Sequence, residues 1–132
     1  MAGETNIDTL IREMEPKLHP GAYVFCSLPS NELPKGVQIL ASFREEEGMT
    51  LVVEQSEADQ KGWDYEGTMG WITLSVHSAL EAVGLTAAFS NALAQEGISC
   101  NVVAAFYHDH LFVPLSQAED ALNALQRLSA NH

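Results

Sequence analysis

ITLSVHSALEAVGLTAAFSNALAQEGISCNVVAAFYHDHLFVP, residues 72–114, decides the fold. Its first residues belong to a run, Met69–Val76, that alternates: Ile72, Leu74 and Val76 fall on one face, Trp71, Thr73 and Ser75 on the other, the period of a half-buried strand. Leu85, Ala88, Phe89, Ala92 and Leu93 then recur at helical spacing. Gly84 precedes this stripe, and Gly97 follows it where helices commonly end in a left-handed residue. Ile98–Phe106 reads as a second strand, largely apolar on both faces, with Leu111–Val113 as its partner across a tight turn at His108-Asp109-His110. Ser116 opens a last helix with the capping-box partner Glu119, and Ala118, Ala121, Leu122, Leu125 and Leu128 supply its buried stripe. The order is β-α-β-β-α, a split βαβ sandwich that lacks its fourth strand.

Working upstream, Leu51-Val52-Val53-Glu54-Gln55-Ser56-Glu57-Ala58-Asp59 lies beside Leu111-Phe112-Val113-Pro114-Leu115-Ser116-Gln117-Ala118-Glu119 at an offset of 60 residues. Both read strand, short link, serine cap, acidic third position. Ala41-Ser42-Phe43 likewise matches Ala104-Ala105-Phe106. Each half therefore holds a β-hairpin followed by a capped helix, the mark of a duplication. Ahead of the first hairpin, Ala22–Leu28 is an apolar strand that reaches Val37–Phe43 through the loop Pro29–Gly36, with no helix between them. Ile7, Leu10, Ile11 and Met14 predict a short amphipathic helix, stopped by Pro16 and Pro20-Gly21. Strand 22–28 is the expected fill for the open edge of the second half. Strand 69–76 stands where a fourth strand of the first would lie, so the halves interleave. The expected domains are residues 1–65 and 66–132, folding as one unit of α+β class with antiparallel sheets and helices on one face.

Composition narrows the function. The 132 residues carry six Lys and Arg against 18 Asp and Glu, a formal net charge of −12. Nucleic acid and anionic membranes both need clustered cations, so neither is an expected partner. No apolar run approaches the roughly 18 residues of a membrane span, and the N-terminal MAGETNIDTLIREMEPKLHP lacks the apolar core of a signal peptide. Cys26 and Cys100 each lie in an apolar strand and read as reduced, buried thiols, which points to the cytoplasm.

Residues 72–114 resemble an ACT domain. Gly84 matches the turn glycine of that family, Leu85–Glu96 its first helix, and Gly97-Ile98-Ser99-Cys100-Asn101 the start of its second strand. Over residues 20–130 the chain is similar to small bacterial proteins of two ACT-like halves, related to aspartate kinase regulatory domains and to arginine-sensing ACT proteins. YVFCSLP and YHDHLFVP are phrases typical of that group. The resemblance implies two ferredoxin-like βαββαβ halves and regulation by a small ligand, usually an amino acid, held between units. Carried over residue by residue, the site is His77, Ser78, Val83, Gly84, Leu85 and Thr86 from the loop before the helix, and Ser99, Cys100 and Asn101 from the strand start. The chemistry suits a carboxylate: a helix N-terminus offers unpaired amides, Gly84 lets backbone approach, and Asn101 both donates and accepts. Glu81 is the acid nearest in sequence for a ligand ammonium.

Other constellations read less sharply. His108 and His110 have metal-ligand spacing, but a hairpin turn would splay their rings, and Asp109 suits a turn. Ser75 or Ser78 with His77 and Glu81 makes no nucleophile elbow. A thiolate at Cys100 paired with His77 or His108 is disfavoured in an apolar strand. No phosphate-loop glycine motif occurs. Glu45-Glu46-Glu47 reads as a solvated hairpin tip. Trp71, pointing away from Ile72 and Leu74, marks a packing partner on the far face of the sheet, either the other half or a second chain; Trp63 and Tyr65 read the same way. The expectation is a non-enzymatic sensor of a small ligand, which the resemblance implies is an amino acid, acting as a homodimer and without cofactor or metal. The alternative is a protein–protein interaction module with a vestigial site and an unidentified protein partner. A small enzyme is a third reading that only the His-Asp-His motif keeps open.

Overall fold

The computed structural model describes residues 6–75 and 84–132. The polypeptide forms two compact units nested in sequence: Gly21–Met69 make the inner one, and the described residues on either side make the outer one.

The outer unit begins with α1 (Ile7–Glu13), opened by Asn6, whose side-chain oxygen accepts from the amide of Thr9 at 3.1 Å. Leu10, Ile11 and Met14 bury the expected stripe. The chain then becomes β1 (Glu15–Leu18), a strand where the prolines suggested only a break. Pro16 is tolerated because β1 is an edge strand. It pairs antiparallel with β5 (Met69–Ser75), Leu18 opposite Ile72 and Glu15 opposite Ser75. The unit continues with α3 (Leu85–Gln95), β6 (Asn101–Ala104), β7 (Asp109–Pro114), a 3-10 turn (Leu115–Gln117) and α4 (Ala118–Ala130). Its strand order is β1-β5-β7-β6, the split βαβ arrangement, with β6 and β7 antiparallel. Along Ile72–Ser75 the fourth strand is β1, whereas strand 22–28, which the sequence suggested for this edge, meets β5 only where Tyr23 pairs with Met69.

All three helices of this unit contribute to one core. Ile72, Leu74, Leu111 and Val113 from the sheet meet Leu10 and Ile11 of α1, Leu85, Phe89 and Leu93 of α3, and Ala121 and Leu125 of α4. Each fully buried Leu or Phe stabilises by about 1.5–3 kcal/mol. The end of α4 is tied to α1: Ser129 donates to the carbonyl of Arg12 at 2.9 Å, and Arg12 Nε donates to the carbonyl of His132 at 2.8 Å. Gly70 sets the closest approach of sheet and helix, since a Cβ there would stand 2.8 Å from Ala118 Cβ.

The inner unit places β2 (Tyr23–Leu28) beside β4 (Met49–Glu54), which pairs in turn with β3 (Ile39–Arg44); α2 (Gln55–Lys61) follows β4. Tyr23 also pairs with Met69, the first residue of β5, which thus takes the expected fourth-strand place of this unit. Val24, Cys26, Met49, Leu51, Val53 and Ala58 form the core, and Trp63 and Tyr65 pack against it, partly buried. Gly62 closes α2 in the left-handed region at φ 71°. The architecture is α+β, of two interleaved ferredoxin-like halves.

Three local readings differ from the sequence. β6 is four residues long because Ile98 still donates to Leu93 across the end of α3. The β6–β7 turn is closed by Ala105 N–H to the carbonyl of His108 at 3.1 Å, which puts Asp109 and His110 inside β7 and not in the turn. Neither serine caps its helix. α2 starts at Gln55 after an extended Glu54, and the 3-10 turn starts at Leu115 after an extended Pro114, so Ser56 and Ser116 each stand two residues past the cap position.

Two measurements check these points. Gly70→Ala should lower the urea unfolding free energy by about 1–3 kcal/mol, because neither backbone-borne carbon can move aside. Ser116→Ala should change it by less than about 0.5 kcal/mol, against about 1 kcal/mol for a genuine cap.

Candidate functional site

Of the residues expected to hold a ligand, His77, Ser78 and Val83 lie outside the described residues, as does Glu81. Gly84 flanks α3 in the left-handed region, at φ 92° and ψ −9°. Its carbonyl accepts from Ala88 at 2.9 Å, which starts the helix, and no side chain caps the first turn. Among the described residues, nothing stands within 4 Å of where a Cβ on Gly84 would project. The first-turn amides are therefore presented without a side chain of Gly84 over them, in the orientation that favours an anion. Thr86 is exposed beside them, whereas Leu85 is buried in the outer core and contributes packing.

The second part of the expected site follows the other end of α3. Ser99 is exposed, Cys100 packs half-buried against the outer core, and Asn101 is the exposed first residue of β6, opposite Phe112. The 11 residues of α3, about 16 Å of helix, stand between Gly84 and the turn at Gly97 that leads to this strand. Among the described residues, no hydrogen bond joins the two parts. Cys26, the other thiol, is buried, and burial first and Asp64 second push its pKa up. Among the described residues, no three His, Cys, Asp or Glu side chains gather as a metal site.

A polar cluster that the sequence did not reveal occupies the face of the outer sheet away from the helices. His19 follows β1, donates its backbone N–H to the carbonyl of Trp71 at 2.9 Å, and stacks its ring on Trp71 with centroids 3.5 Å apart and planes 15° from parallel. Thr73 Oγ1 lies 2.7 Å from His19 Nε2 and 3.0 Å from His110 Nδ1. Trp71 Nε1 donates to His110 Nδ1 at 3.1 Å, and Phe112 flanks the indole with centroids 6.5 Å apart. Burial, then Lys17 and His110, lower the pKa of His19; burial, then His108, lower that of His110, while Asp109 opposes the shift. Burial raises the pKa of Asp109 against the pull of His110 and His108. Trp71 was legible as a residue of the far face. His19 was not, because its neighbours Pro16 and Pro20 concealed a strand. His110 was assigned to a turn.

Comparison with known proteins places this geometry. The description "ACT domain" matches residues 2–70 and again residues 66–127. A comparison with curated proteins gives no match. Among solved structures, a Vibrio cholerae protein described as of unknown function and a possible transport protein is 46% identical, over 92% of this chain and 94% of that one, with a TM-score of 0.83. An Agrobacterium tumefaciens protein superposes with a TM-score of 0.69 at 21% identity, covering 88% of this chain and 89% of the other. The ligand-free regulatory subunit of aspartate kinase from Thermus thermophilus superposes at 0.65 with 12% identity, over 86% of this chain and 95% of that one, a likeness of fold. With one ACT match on each half, the chain belongs to the ACT-domain family as a small tandem ACT protein.

Proposed function

We propose that this protein is a non-enzymatic regulator that binds a small amino acid at the N-terminus of α3. ACT domains are regulatory folds that commonly bind small molecules, which supports a regulatory ligand-binding role. The observation that carries the amino-acid site is Gly84: left-handed, with no described residue above its Cα, and opening a helix whose first turn has no side-chain cap among the described residues. A ligand carboxylate accepts from the first-turn amides, Thr86 offers a hydroxyl, and Asn101 of a second copy of the chain offers a paired donor and acceptor. His77, Ser78 and Val83 remain assigned to the same loop, and Ser99 to the strand start. Because a helix length separates the two parts, the complete site is proposed to form between two copies of the chain, and ligand shifts the population of their relative placements.

The edge strand β6 fits such a homodimer. Asn101-Val102-Val103-Ala104 has no charge and no proline to guard an unpaired edge, and Val103 is 39% exposed. The two thiols, neither in a disulfide, fit a cytoplasmic setting, and no described helix is long and apolar enough to cross a membrane. A second reading, an interaction module, is favoured by the Phe106–Tyr107 pair, edge to face at 4.9 Å and 81% and 74% exposed after β6.

A thermal-shift screen of the twenty amino acids tests the sensor reading. One ligand at about 100 times its dissociation constant should stabilise the fold by about 2.7 kcal/mol. Gly84→Val should abolish that shift, since a β-branched residue resists the left-handed region. If no amino acid moves the midpoint, the sensor reading fails. Light scattering should give twice the chain mass of 14.4 kDa, and Val103→Lys should return it to the single mass.

A further inference from the structure

Thr73 is the one buried polar side chain among the described residues, at 7% exposure, and it touches two imidazoles. The direction of each hydrogen bond follows from what the groups can do. An indole nitrogen only donates, so His110 Nδ1 must carry its lone pair toward Trp71 and hold its proton on Nε2. Facing that lone pair at 3.0 Å, the hydroxyl of Thr73 has to donate. Its oxygen is then free to accept from His19 Nε2–H at 2.7 Å. The result is a directed relay, His19 to Thr73 to His110, joined at its end by Trp71, with both rings neutral.

The relay responds unequally to a proton. His19 takes one on Nδ1 without disturbing its Nε2–H, and an imidazolium stacked on an indole is a favourable arrangement. His110 can take one only on Nδ1. That places an N–H against the indole N–H of Trp71, whereas the Thr73 oxygen, its hydrogen turned away, accepts from the new N–H. We propose that His110 is a proton-operated latch on the N-terminal strand: neutral, it accepts from Trp71 and closes the network that pins His19 and the end of β1 to β5; protonated, it repels the Trp71 indole N–H on which His19 stacks and loosens that end.

The surrounding charges agree. Lys17 on β1 and His19 after it face the cluster from one side, and His108 and Asp109 flank His110 along its own hairpin. Burial and the cationic neighbours hold both imidazoles below the ordinary value of 6.5, with Asp109 the opposing acid. A folded-state pKa below the unfolded one means that the stabilisation is complete above the unfolded value of 6.5 and is lost as pH falls from there through the folded value.

Nuclear magnetic resonance of the whole chain tests the latch. Between about pH 8 and about pH 5, the Trp71 indole N–H should shift in one step centred below 6.5. Over the same step, exchange of the β1–β5 ladder amides, corrected for intrinsic rate, should accelerate about tenfold. His110→Asn keeps an acceptor near the place of Nδ1 and cannot titrate, so the step should vanish; His19→Gln keeps the donor, so the step should persist. A step that survives His110→Asn, or vanishes in His19→Gln, overturns the proposal, as does a wild-type chain without a step. If His110→Asn does not fold, the wild-type imidazole nitrogen shifts decide: a proton on Nδ1 of His110 near pH 8 overturns the relay.

Discussion

The ladder between β1 and β5 is the constraint from which the outer unit follows. β5 carries Ile72 and Leu74 into the helical core and Trp71 and Thr73 to the opposite face, and both sets need β5 held in one register. A slip by one residue would exchange the two faces, burying Trp71 against α3 and α4 and exposing Ile72. β1 fixes the register along one side of β5, His19 clasps its end through a backbone bond and a stacked ring, and β7 lies along the other side. On the helix face, Gly70 brings β5 close to Ala118, so α4 sits where a larger residue would hold it off. The cluster on one face and the core on the other are two consequences of the same pairing.

Most of the fold was legible because its signals are periodic. The stripes Leu85–Leu93 and Ala118–Leu128 and the alternation through Met69–Ser75 each report burial on one face, and burial is what the structure realises there. What stayed hidden depends on neighbours distant in the chain. Glu15-Pro16-Lys17-Leu18 has no strand pattern of its own; it is a strand because β5 offers it an unpaired edge. The serine caps failed for a different reason: both strands run straight into their helices, so the residue with cap chemistry arrives inside the first turn. Of the residues expected to hold a ligand, only Gly84 had a local signature, a glycine before a helical stripe; by itself that signature says turn, and the left-handed backbone is what a turn requires.

The acidic character of the chain fits a site made of amides. The carboxylate of a zwitterionic amino acid is repelled by a molecule of net charge −12, but its own ammonium offsets that repulsion and salt attenuates both within about 10 Å at 0.1 M. Contacts made by backbone N–H groups at a helix end act at hydrogen-bond range and need no cationic side chain. Such a site would discriminate by shape and hydrogen bonding and not by charge.

The nesting of the two units also orders their assembly in time. Gly21–Met69 holds its own core and hairpin, so the inner unit closes from contacts near in sequence. The outer unit cannot: Glu15 waits for Ser75, and Arg12 for His132. As the chain leaves the ribosome, α1 and β1 emerge first and are satisfied last, with Leu10, Ile11 and Met14 exposed until α3 and α4 arrive. Long-range closure of this kind slows folding and leaves an apolar segment open to wrong partners in the interval.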